Sequence, residues 1–167
     1  VIAHELFHVF DTSAEVQARD ELRRTFMAVP DAAAMAAWNM MGEALPTALG
    51  NAIVGRKTME PEAWLAMMEE PQSLYSSWAI DSIAKAAVPF LDETLDRGGA
   101  RSDPDFANRW IAAHRVATGP RAASPELLLN RCVLAYPSGR EELAYALTRA
   151  LHANSVQGEE GGGGVAL

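Results

Sequence analysis

The chain opens VIAHELFHVF, and within those ten residues His4, Glu5 and His8 stand in the arrangement H-E-x-x-H. On a helix, side chains four residues apart share one face, so both imidazoles can reach a single metal ion. Glu5 lies about 100° round the helix from His4, outside comfortable ligand range but placed to take a proton from a water activated by the metal. That division of labour is the chemistry of a zinc hydrolase, with Zn²⁺ as the implied cofactor. The flanking Val1, Ile2, Leu6, Phe7, Val9 and Phe10 are apolar, as expected of a largely buried helix that exposes one functional stripe.

Two imidazoles do not complete a site. Catalytic zinc takes three protein ligands and leaves a fourth position for water, whereas structural zinc fills all four with protein. The metzincin extension is absent, because Asp11 and Ala14 occupy the places of its glycine and third histidine. Asp11 shares the His4 and His8 face at helical spacing. It also sits where the helix is expected to end, before a new start with Thr12 and Glu15 as a capping box, so it reads first as a turn residue.

The other candidate lies in WNMMGEALPTALGNAIVG, residues 38–55. Glu43 there could be a third ligand, or a glutamate at a helix N-terminus stabilised by the macrodipole. Taken with H-E-x-x-H, this segment resembles the gluzincin metallopeptidases such as thermolysin, in which a second helix supplies the third ligand through a short N-E-A-like motif. The resemblance covers roughly the first 55 residues and implies His4, His8 and Glu43 as zinc ligands, Glu5 as general base and a peptide or protein as substrate. Gly42, Ala44, Leu45 and Gly50 give the segment small residues that let it pack closely on the zinc helix. Thr47 stands where the thermolysin-like pattern has a histidine-orienting aspartate; a hydroxyl can still take a histidine N–H, with less charge to raise ligand basicity. The downstream histidine motif of that family is not recognisable. Tyr75 or His114 could instead donate to the oxyanion of a tetrahedral intermediate, and Tyr75 is the one carried forward. The rival reading from another class is a non-catalytic helical interaction domain with a structural or vestigial zinc site.

The elements that must hold these residues read as mainly helical: the helical lower part of a zincin-like domain with a short C-terminal strand-turn-helix of α+β or α/β character. Helices are expected in TSAEVQARDELRRTF after Thr12, in PDAAAMAAWNMM from Asp31, and in EPEAWLAMMEE with Pro61 in the first turn. A longer helix is expected over residues 73–99, kinked near Pro89 and stopped by Gly98 and Gly99, and another over 102–119. Within the long helix, Asp81 and Lys85 read as a surface i, i+4 pair, or as a carboxylate lining the cleft. A buried strand is expected from Cys132 to Tyr136, then a helix entered through Ser138 and Glu141. Three regions follow: 1–120 as the metallopeptidase region, 121–155 as the strand-turn-helix, and 156–167 as a flexible glycine-rich tail.

With 167 residues and 49% hydrophobic content the chain can build one sizeable core. A net charge of −8 and a pI near 4.9 leave no basic stripe for phosphate, which argues against nucleic acid. No glycine fingerprint for nucleotides is present, and no apolar run reaches membrane-spanning length. A single cysteine, Cys132, excludes an internal disulfide. A chain that starts three residues before its first ligand reads as a fragment whose preceding part carries the cleft-flanking strands and any targeting signal, an exported or periplasmic setting being compatible with the class.

Overall fold

The structure is a computed structural model that describes residues 2–13, 16–124, 127, 133–136, 139–151, 155–158 and 164–166. It is mainly helical. Helix α1 (Ile2–Ser13) carries the H-E-x-x-H residues, α2 (Val16–Ala28) follows, and α3 (Ala34–Pro46) runs into a π-helical turn (Thr47–Ile53) and a short α4 (Val54–Thr58). Then come α5 (Pro61–Glu69), α6 (Trp78–Asp96) and α7 (Phe106–Thr118).

The π-turn has a local cause. Pro46 closes α3 and has no N–H to give to the ladder. The next amide, Thr47 N–H, is shared between the carbonyls of Ala44 and Glu43, and by Val54 the amide reaches five residues back to Leu49. One residue more per turn than an α-helix is thereby accommodated. The rod from Ala34 to Thr58 is not broken, but its middle is rotated.

Alanines let these helices approach. Ala34, Ala36, Ala37, Ala44, Ala48 and Ala52 are buried along the rod, and α6 meets it with Ile80, Ile83, Ala84, Ala87 and Leu91. Larger side chains fill the far end, where Phe26, Phe90, Phe106 and Trp110 form edge and stacked pairs 6.0–6.3 Å apart. The buried Trp110 indole donates to the Ala37 carbonyl at 3.0 Å, which satisfies the single polar group that its burial would otherwise strand.

Helix boundaries follow side-chain chemistry. Asp31 accepts the Ala33 N–H at 2.7 Å and pairs with Arg115, so the turn before α3 begins there and the helix itself at Ala34. Helix α6 stops as expected at Gly98 and Gly99, both at positive φ. Pro89 stays inside one continuous α6. The start of α6 differs from expectation: residues 71–77 form a loop because the Asp81 carboxylate accepts the Gln72 and Leu74 amides at 3.1 and 2.8 Å. Those two N–H groups are removed from any helical ladder.

Beyond α7, Val133–Tyr136 forms β1 and Glu141–Leu151 forms α8, with the Glu141 carboxylate accepting the Gly139 amide at 3.0 Å. Ser138 and Cys132 lie outside the described residues, as does Glu15 of the expected Thr12 box. Ser155–Gly158 (β2) pairs parallel to β1 with Val133 opposite Ser155, and Gly164–Ala166 (β3) pairs antiparallel to β2 with Val156 opposite Val165. Composition reads these last residues only as a flexible tail. Val156 and Val165, β-branched residues suited to a pleated surface, stand at the centre of that pairing.

Candidate metal centre

Two elements bring the ligand candidates together. Helix α1 presents His4 and His8 one turn apart, and the last part of α3 presents Glu43 opposite them. His4 Nε2 and His8 Nε2 are 3.0 Å apart, and Glu43 Oε2 lies 3.4 Å from His8 Nε2 and 3.8 Å from His4 Nε2. A tetrahedral zinc ion with ligands at about 2.0–2.2 Å separates its ligand atoms by about 3.3–3.6 Å. The three observed sides bracket that spacing. Among the described residues, this is the group of histidine, cysteine, aspartate or glutamate side chains that could hold a metal.

The close approach of α1 depends on Gly50. A Cβ there would sit 2.5 Å from the His4 amide nitrogen and 2.7 Å from its Cα, so backbone meets backbone at the first ligand. Thr47 adds a polar contact: its hydroxyl lies 3.4 Å from His4 Nδ1 and donates to the Glu43 carbonyl at 2.8 Å.

The third wall is the 71–77 loop. Tyr75 donates to Glu43 Oε2 at 3.3 Å, and its ring lies 5.9 Å from that of His4. Asn51, on the π-turn, donates to the Leu74 carbonyl at 3.0 Å while Asp81 holds the Leu74 amide, so the loop is fixed from both sides. His4, Glu5, His8, Glu43, Asn51, Leu74 and Tyr75 line an open cleft of about 500 Å³.

Burial pushes the His4 pKa below its ordinary value, helped by the neighbouring His8, against the raising effect of Glu43 and Glu5. His4 is therefore held neutral, the form that has a lone pair for a metal. Burial also raises the Tyr75 phenol, with Glu43 as the next cause. Tyr75 keeps its proton at neutral pH and serves as a donor.

Several expectations change. Glu43 does not lead a helix; it stands four residues before Thr47 in a rod that continues to Thr58, so the macrodipole does not account for it. Asp81 and Lys85 are paired at 2.9 Å, but Asp81 is buried and builds the loop rather than decorating a surface or lining the cleft. His114 is fully buried in α7, where Nε2 lies 2.8 Å from the Ala122 carbonyl, and it is not among the cleft residues. The Asp11 side chain lies outside the described residues. Asn51 and Leu74 carry no signal in the sequence, and only the fold brings them to the cleft.

No protein-family model, no curated protein and no solved structure matches the chain.

Proposed function

We propose that this chain carries a zinc-dependent peptidase centre of gluzincin type, set in the helical part of a zincin-like domain. The observation that supports it best is the His4–His8–Glu43 triangle, whose donor types and separations suit one tetrahedral zinc ion. A catalytic site is favoured over a structural one because three ligand groups converge among the described residues and they face an open cleft. When bound, zinc supplies Lewis acidity to a substrate carbonyl and lowers the pKa of a water.

The protein groups do the rest. Glu5 lines the same cleft without belonging to the triangle, and it takes the proton of the attacking water and returns it to the leaving amine. Tyr75, protonated and directed at Glu43, is within the cleft to donate to the oxyanion as the carbonyl becomes tetrahedral. Asp81 and Asn51 fix the loop that carries Tyr75, so that donor need not be ordered at the moment of reaction.

The test uses the metal-free protein titrated with zinc and assayed on a broad peptide library. One zinc per chain is expected, with hydrolysis that falls about 10²–10⁴-fold in Glu5→Gln while zinc binding is retained. Absence of zinc uptake would sink the proposal. Zinc uptake without hydrolysis by wild type would favour a scaffold role.

A further inference from the structure

Glu43 shares its helix face with Asn39 and Met35. The three stand four residues apart on α3, at intervals of about 6 Å along its axis. Glu43 lines the cleft of the ligand triangle, whereas Asn39 and Met35 line a second open groove, of about 330 Å³, with Trp38 and, from α2, Val16, Arg19 and Arg23. One face of α3 therefore leads from the triangle into this groove.

The groove has an apolar wall and a basic rim. Trp38 is half-buried, with its ring edge-on to Phe26 at 5.4 Å, and Met35 and Val16 add exposed apolar surface. Arg19 and Arg23 stand one turn apart on α2, and both are exposed. Asp20 is the acid among the described lining residues, so the balance there is positive. In a chain with 22 acidic and 14 basic residues, an anion is repelled by the molecule as a whole and attracted at this spot. Arg24 is committed elsewhere: its Nε donates to the Asp20 carbonyl at 3.3 Å, and it does not line the groove.

We propose that this groove is a carboxylate subsite of the cleft, in which Arg23, with Arg19, receives a carboxylate of the peptide while the apolar part of the same residue rests on Trp38 and Met35. The proposal rests on the peptidase reading above and adds a substrate class to it. A guanidinium suits the task because its planar fork can grip both carboxylate oxygens. The reach also agrees. An extended peptide advances about 3.3–3.6 Å per residue, so with the scissile bond at the triangle, a residue about two along is level with Asn39 and one about three or four along is level with Met35. The carboxylate is then either the chain terminus of a short leaving segment or an acidic side chain at that distance.

The probes are alanine-rich peptides that differ in one group: a free carboxyl terminus, an amidated terminus, or an amidated terminus with a glutamate placed at each position in turn. Binding to the metal-free full chain is read from the indole N–H signal of Trp38, assigned with Trp38→Phe, and hydrolysis is read on the zinc-loaded protein. A carboxylate peptide should shift the Trp38 signal and be cleaved with a KM about 5–10-fold below that of the neutral one. Preference for the free-acid peptide identifies a terminal carboxylate, and preference for a glutamate peptide an acidic side chain. Arg23→Gln should erase the discrimination through KM rather than kcat, Arg23→Lys should restore part of it, and Arg24→Gln, the same charge change outside the groove, should retain it. Equal binding and cleavage of neutral and carboxylate peptides, or discrimination that survives in Arg23→Gln, would overturn the subsite while the zinc reading stands. A Trp38 shift that depends on the carboxylate and on Arg23, with no hydrolysis by zinc-loaded wild type, upholds the groove as a carboxylate site and overturns the peptidase reading instead.

Discussion

A single carboxylate oxygen, Glu43 Oε2, is shared by three neighbours: His4, His8 and the Tyr75 hydroxyl. That crowding separates ligand from donor experimentally. Glu43→Gln exchanges an anionic oxygen for a neutral amide and should weaken zinc retention sharply, while Asp11→Asn, if Asp11 only supports the site, should cost at most about 10–100-fold. Tyr75→Phe should leave zinc stoichiometry intact and lower turnover by about 10²–10³-fold, the usual loss for one oxyanion donor. Equilibrium dialysis with zinc and a peptide assay read the two effects, and a Tyr75→Phe variant that loses zinc while Glu43→Gln keeps it would reverse the assignment. Sequence alone served these residues unequally. His4, Glu5 and His8 are legible because local helical geometry fixes their relation. Glu43 required a resemblance, since nothing local specifies which face of a distant helix turns toward α1. Asn51 had no signal at all, because its place in the cleft comes from a π-turn and from a carbonyl 23 residues away.

At the level of elements, helix existence was readable from periodicity and caps, but the features that aim side chains were not. Pro46 ends α3, and the rod continues by slipping into π geometry. Asp81 reads as one half of an i, i+4 pair, yet it ends the loop before α6 by accepting two amides. The Asp81 outcome depends on where the packed loop brings its amides. Gly50 shows the same dependence with a measurable sign. In an ordinary helix glycine to alanine is stabilising by roughly 0.5–1 kcal/mol. Here the added methyl would meet His4 backbone atoms at 2.5 and 2.7 Å, and backbone cannot step aside as a flexible side chain can. Gly50→Ala is therefore expected to destabilise by about 1–3 kcal/mol and to weaken zinc binding by displacing α1 at its first ligand. Thermal melts with and without zinc check both, and an alanine variant as stable as wild type would show that α1 does not sit this close to the π-turn.

Across the whole molecule, titratable groups shifted by burial or by hydrogen bonds set how folding responds to acid, and they fall into two pH windows. His114 in α7 is fully buried, Nε2 bonds the Ala122 carbonyl, and Nδ1 has no hydrogen-bond partner among the described residues. A second proton would place a charge in that buried position, and burial, against the raising effects of the Ala122 carbonyl and Asp31, holds the pKa below its ordinary 6.5. The folded state thus binds fewer protons than the unfolded one just below that value, so stability is full above about pH 6.5 and declines as pH falls toward the depressed folded pKa. Asp31, Asp92 and Asp103 are held below their ordinary 3.8, chiefly by hydrogen bonds from Arg115, Arg56 and Thr94. Their contribution is present above that ordinary value and is lost only as pH falls below it. Denaturant midpoints measured from about pH 7.5 to about pH 3 in chelator, which keeps metal release out of the signal, should therefore decline in two stages. His114→Gln retains an amide donor for the Ala122 carbonyl but does not titrate, so it should flatten the upper stage and leave the lower one unchanged. What remains of the upper stage belongs to His4, also depressed by burial, and His4→Gln in the His114→Gln background should remove it. A wild-type midpoint that is flat between about pH 7 and about pH 4.5 would mean that neither histidine is buried in its neutral form.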